Sequence, residues 1–187
     1  MRGARKKRRK RYGAYDSRGR LAGKRPIGER PRQAEDRETT GHWEIDTVHG
    51  RGLESVVTLV DRKSGFVQIG LLAQRTIEET NWRLLKLMAR HPGRYQTITS
   101  DNGCEFHGYK QVEAKSSVVF YFATPHHSWE RGTNENTNGL IRQYLPKGAS
   151  MASVTQEECD RIAKKLNSRP RKRLGYRTPY QVFHEIF

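Results

Sequence analysis

Three pieces of the stretch from Gly41 to Leu72 decide the fold: GHWEIDTV (41–48), SVVTLVD (55–61) and GFVQIGLL (65–72). Each is a short run rich in β-branched and aromatic residues and bounded by turn formers, which is the pattern of a strand. Arg62, Lys63 and Ser64, followed by Gly65, read as a hairpin turn, so three antiparallel strands come first. Further along, Thr76 and Glu79 have the T-x-x-E spacing of a capping box, and Ile77, Leu84, Leu85 and Met88 continue at helical spacing until Pro92 and Gly93 stop the helix. YQTITSD (95–101) predicts a fourth strand, Tyr109 to Lys115 a short helix, and SVVFYFA (117–123) a fifth, buried strand. Residues from about Thr133 to Tyr144 look helical. A second box, Thr155 with Glu158, opens a last helix carrying Cys159, Ile162 and Leu166, which Pro170 ends. The order βββαβαβ implies an α/β fold: a mixed five-stranded sheet flanked by helices.

Charge points to the partner. The 187 residues carry 36 Lys+Arg against 20 Asp+Glu, a net +16, and 14 of those cations fall within residues 1–32. Residues 1–40 therefore read as a basic, largely disordered arm or linker before a domain at 41–187. Such an arm binds a polyanion by releasing counterions, or simply keeps the chain in solution. Hydrophobic residues make up 34% of the chain, the mean hydropathy is −0.93, and no apolar run approaches the roughly 18 residues of a membrane span. With two cysteines, Cys104 and Cys159, there is no disulfide framework. A reducing, cytoplasmic setting without a membrane partner is expected.

Three acids stand at informative addresses. Asp46 lies inside the first strand, Asp101 at the end of the fourth, and Glu135 in the first turns of the helix after the fifth. In a sheet of this order, strands one and four are parallel neighbours, which sets Asp46 beside Asp101, and a helix packed there can add Glu135. Like carboxylates so placed need a counter-charge. Oxygen ligands suit Mg²⁺ or Mn²⁺, and two such ions serve in-line displacement at a phosphodiester. Asp101 also heads Asp-Asn-Gly, a common turn sequence, and a Glu near a helix start is an ordinary dipole partner. Asp61 reads as turn chemistry, while Glu44, Glu105 and Glu130 read as supporting or surface groups.

GHWEIDTV, TSDNGCEF, HSWERGTNENTNGLIRQYLPKG and NSRPRKRLGYRTPYQVF together resemble the catalytic domain of insertion-sequence transposases of the IS-thirty family, within the wider DDE transposases and retroviral-type integrases. The likeness covers about Gly41 to Phe187, and 33 residues separate Asp101 from Glu135, the spacing of that family. The resemblance implies an RNase H-like fold, a triad of Asp46, Asp101 and Glu135 holding divalent metal, and metal-dependent cleavage and strand transfer at insertion-sequence ends. It also implies homo-oligomers acting on DNA in the bacterial cytoplasm, at the nucleoid. Family members usually carry a helix-turn-helix region that is expected to be missing here, and Cys104 stands where many relatives have a basic residue. The competing expectations are a non-catalytic DNA-binding remnant and a nuclease for RNA:DNA hybrids.

Around the triad, Arg142 falls seven residues after Glu135 and is expected to clamp a phosphate. Trp129 either stacks on a base or closes the core. Asn102 steadies Asp101 or the ion, and Arg131 and Lys147 join an electropositive rim. Arg171, Lys172 and Arg173 form a second basic cluster for DNA. His126 and His127 are read as structural.

Overall fold

The computed structural model describes residues 23–125 and 127–186. The basic arm expected before residue 23, and His126, lie outside the described residues.

Alternation along β1 (His42–His49) separates two layers. Trp43 and Ile45 face one core with Val57 and Leu59 of β2 (Ser55–Asp61), together with Leu84 and Leu87 of α2 (Ile77–Met88) and Tyr109 and Val112 of α3 (Tyr109–Lys115). Val48 faces the opposite core with Val56 and Val60 of β2 and with Val67 and Ile69 of β3 (Val67–Leu72). Ile141 of α4 (Gly132–Ile141) and Cys159, Ile162 and Leu166 of α5 (Gln156–Asn167) close that second layer. With β4 (Thr97–Ser100) and β5 (Val119–Phe122), the sheet order is β3-β2-β1-β4-β5. The first three strands pair antiparallel, and β1 with β4 and β4 with β5 pair parallel, as the element order requires.

Local chemistry explains the ends of these elements. Asp61 takes hydrogen bonds from Gly41 N–H (2.8 Å), Ser64 N–H (2.8 Å) and Ser64 Oγ (2.6 Å), so it is the turn residue that the sequence implies. Gly65, at φ 71, supplies the left-handed turn position. Thr76 and Thr155 accept from the N–H groups of Glu79 and Glu158, both at 3.2 Å. The Glu79 carboxylate reaches back further than a capping box does, to Ala73 N–H (2.6 Å) and Gln74 N–H (2.8 Å). A complete capping box forms instead at Thr178 and Gln181, opening α6 (Pro179–His184). That helix delivers Phe183, stacked on Phe66 at 4.3 Å.

Two expectations are corrected. The helix predicted from about Thr133 to Tyr144 ends at Ile141, and Arg142 serves as its C-cap. The arm predicted over residues 1–40 is built onto the domain well before Gly41. Phe122 N–H donates to Arg25 C=O at 2.9 Å, and Pro26 bridges Phe122. Ala34, in the single turn α1 (Arg32–Glu35), is fully buried, and Arg62 Nε donates to its carbonyl at 2.8 Å. Arg30 Nη1 donates to Thr99 Oγ1 at 3.0 Å. The composition reads as solvated because it is basic and poor in apolar residues, yet here the Arg30 guanidinium is buried against Thr99.

Candidate active site at the β1–β4 edge

Parallel pairing runs Trp43↔Ile98 and Glu44↔Thr99, and two further residues in that register set Asp46 level with Asp101. Arg131, in the 3-10 turn Ser128–Arg131 before α4, reaches both: Nη1 lies 3.4 Å from Asp46 Oδ2 and Nη2 lies 3.2 Å from Asp101 Oδ2. The other carboxylate oxygens are held by the local backbone, Asp46 Oδ1 by Thr47 N–H and Asp101 Oδ1 by Gly103 N–H, each at 2.8 Å. Asn138 Nδ2 donates to Asp46 Oδ2 at 3.0 Å. Burial pushes the Asp46 carboxyl above its ordinary value; Arg131 opposes that shift, and the charges of Asp101 and Glu105 add to it.

The third acid of the expected triad is not brought to the other two. Helical geometry points Asn134 and Asn138, one turn apart, at β1: Asn134 N–H donates to Glu44 Oε2 at 2.8 Å, and Asn138 reaches Asp46. Glu135, one residue on from Asn134, is exposed, and its side chain makes no hydrogen bond or ion pair among the described residues. Among those residues no group of three or more His, Cys, Asp or Glu is gathered to hold an ion. The sequence had no means of revealing that Arg131 would already stand between the two aspartates.

The other expected residues scatter around this centre. Arg142 Nη1 donates to the carbonyls of His49 (2.8 Å) and Leu145 (3.4 Å), so in this structure it ties α4 to the end of β1. Asn102 donates to Ala123 C=O at 2.9 Å and accepts from Lys24, so it braces the end of β5 rather than Asp101. Trp129 is 68% exposed and stacks on the His127 ring at 4.3 Å, which excludes the core-closing role. Lys147 is exposed. Arg171, Lys172 and Arg173 lie together at the opposite end of β1, where Arg173 Nη1 donates to Lys63 C=O at 2.9 Å.

Two acids read as supporting or surface groups prove to be interior. Glu44 is fully buried and paired with Arg62. Glu105 is 7% exposed and accepts from Thr47 Oγ1 at 2.8 Å, beside Asp46. Glu105 follows Asp101 within TSDNGCEF, and the 3-10 turn Cys104–Phe106 folds it back over the edge; that proximity in sequence was the available signal.

This geometry defines a class before it defines a family. The fold is RNase H-like: a chain of the simian T-cell lymphotropic virus intasome aligns with TM-score 0.64 and 21% identity over 78% of this chain and 54% of that one. The catalytic core domain of BIV integrase aligns with TM-score 0.60 and 19% identity over 79% and 95%. No protein-family model matches the chain. Sequence carries the assignment further. The chain is 43% identical over 174 residues to the transposase for insertion sequence element IS4351 of Bacteroides fragilis, covering 90% of this chain and 52% of that protein. It is 41% identical over 158 residues to transposase InsI for insertion sequence element IS30A of Escherichia coli, covering 84% and 41%. By sequence the chain is thus similar to IS30-type insertion-sequence transposases, and it spans about half the length of the curated relatives it matches.

Proposed function

We propose that this chain is the catalytic portion of a DNA transposase, a polynucleotidyl transferase that cleaves and joins phosphodiesters at insertion-sequence ends. The observation that carries the reading is the meeting of Asp46 and Asp101, distant in sequence, on one cation at the parallel β1–β4 edge. Two carboxylates converging on a guanidinium form an oxygen donor set suited to a hard divalent ion such as Mg²⁺ or Mn²⁺, so the residues present fit such a cofactor. Asp46 and Asp101 would hold it, with Glu135 as a third carboxylate. Glu135 stands three residues before Asn138, about one turn, on the helix that reaches Asp46 through Asn138. When bound, the metal supplies Lewis-acid activation of the attacking oxygen and charge stabilisation of the leaving one.

The chain's own residues do the rest. Thr47 and Gly103 N–H groups fix one oxygen of each aspartate, leaving Oδ2 of each turned toward the cation. Asn138 orients the Asp46 carboxylate, and Arg131 neutralises the pair and is placed to pass its charge to a phosphate. DNA is the partner this implies, gripped by Arg131, Lys147 and the Arg171–Arg173 cluster, with Asn102, Trp129 and Arg142 at its margins. The likeness to bacterial transposases supports a homo-oligomer acting in the bacterial cytoplasm. No helix among the described residues is long and apolar enough to cross a membrane.

The exposed position of Glu135 favours one alternative, a DNA-binding remnant that does not cut. Nicking of a supercoiled plasmid with Mg²⁺ or Mn²⁺ separates the two. The transposase reading expects activity that Asp101→Ala and Glu135→Gln each lower by at least 10³-fold. An Asp101→Ala protein that still nicks would remove the mechanism, and a parent protein inert with both ions would leave the remnant.

A further inference from the structure

A cleft of about 350 Å³ opens at the start of α4; neither Asp46, Asp101 nor Arg131 lines it, and four cations border it: Arg37, Arg171, Lys172 and Arg173. Thr133, at the second position of α4, also lines it. The helix is ten residues long, its N-cap Arg131 makes no side-chain cap bond, and of its first N–H groups that of Asn134 already donates to Glu44. Thr133 is 7% exposed, and its Oγ1 is buried with no hydrogen-bond partner. A buried hydroxyl without a partner is costly, and an acceptor in the cleft that Thr133 lines would relieve that cost once the side chain turns toward it.

The acids behind the cleft are already engaged. Glu44 pairs with Arg62 and accepts from Asn134 N–H, Asp61 takes three hydrogen bonds from Gly41 and Ser64, and Glu35 pairs with Arg30. The cations of the rim therefore face one another. Burial first, and then the charges of Arg37 and Arg171, hold the Arg173 guanidinium below its ordinary range, against the opposing charges of Asp61 and Glu44.

We propose that this cleft is a phosphate-binding site, in which Arg37, Arg171, Lys172 and Arg173 hold the anion's oxygens and the Thr133 hydroxyl and the α4 N-terminus complete the cradle. The carrier is either the backbone of DNA or free phosphate, and only the first of these rests on the transposase reading. If DNA is the carrier, the cleft grips the duplex at a point separate from the reacting phosphodiester and fixes its direction across the sheet.

Titration with inorganic phosphate, read by thermal shift against chloride at equal ionic strength, tests the site. Phosphate is expected to raise Tm saturably where chloride does not. Replacing Arg171, Lys172 and Arg173 together by Gln is expected to weaken phosphate affinity at least tenfold, and Thr133→Val, which leaves the charge unchanged, severalfold. Equal responses to phosphate and chloride, or unaltered affinity in both variants, would overturn the proposal. Fluorescence anisotropy with a labelled duplex identifies the carrier. Backbone binding requires the triple variant to lose at least tenfold more affinity than a control with the exposed Lys86, Lys115 and Lys164 replaced by Gln. Phosphate saturation with equal losses in the two assigns the site to free phosphate. A protein that binds phosphate yet never nicks DNA would sink the function proposed above and leave this inference standing; nicking without saturable phosphate binding would do the reverse.

Discussion

Glu44 and Asp46 stand two residues apart on the same face of β1, beneath the same helix, and each has an arginine for a partner. Glu44 is sealed: it is fully buried, Arg62 is 4% exposed, and Asn134 N–H completes the carboxylate. Asp46 is partly open, with its side chain 23% exposed, a longer contact to Arg131 and a second acid drawing on the same guanidinium. The sealed pair locks α4 to the hairpin. The open pair has a cation whose place, in the proposed function, a divalent ion takes. A site that must accept a ligand cannot be neutralised as completely as one that only holds the fold.

Breaking the sealed pair is expected to have the largest effect. Glu44→Ala strands Arg62 in the interior and should cost about 3–5 kcal/mol in urea unfolding; a loss below about 1 kcal/mol would mean that the two ends of β1 are equivalent. Next comes Arg131→Gln, which leaves Asp46 and Asp101 facing each other. Its expected signature is a larger rise in Tm on adding Mg²⁺ than the parent protein gives, and an equal or smaller rise would remove Arg131 from the cation's place.

Asp46→Asn sharpens the contrast through pH. Because folding raises the Asp46 carboxyl, the native state holds that proton more tightly than the unfolded chain. Its contribution to stability is present at low pH and is lost as pH rises through the native value. An amide does not titrate, so Asp46→Asn should match the parent near pH 4 and gain on it toward pH 7, by up to about 1 kcal/mol, while nicking is lost. A gap that shrinks with rising pH would reverse the sign of the effect. The smallest change is expected from Glu135→Gln, within about 0.5 kcal/mol by thermal unfolding, since that side chain is exposed and without a partner among the described residues.

Much of this was legible in advance. The β-branched and aromatic run from Trp43 to Val48 and the turn at Asp61–Gly65 mark strands because local sterics and turn chemistry suffice to specify them. The placement of Asp46 beside Asp101 followed from strand order alone. What stayed hidden depends on contacts between distant segments. Glu44 reads as either a supporting or a surface acid until Arg62 and Asn134 surround it, Glu105 likewise until a 3-10 turn folds it under Thr47, and Arg30 as a linker cation until it meets Thr99. Phe183 reaches the core only because the capping box at Thr178 starts a helix that lands it on Phe66.

By itself, then, the chain's order of residues determined its strands, its principal helices, its excess of positive charge and the pair of aspartates at the sheet edge. All of these arise from neighbours in sequence or from the topology that such neighbours impose. Tertiary structure alone decided which arginine answers which acid, that Glu135 faces outward, and that four cations share a cleft with an unsatisfied hydroxyl. Charge pairing and burial are set by distances across the fold, and those distances do not exist until the sheet and helices have packed.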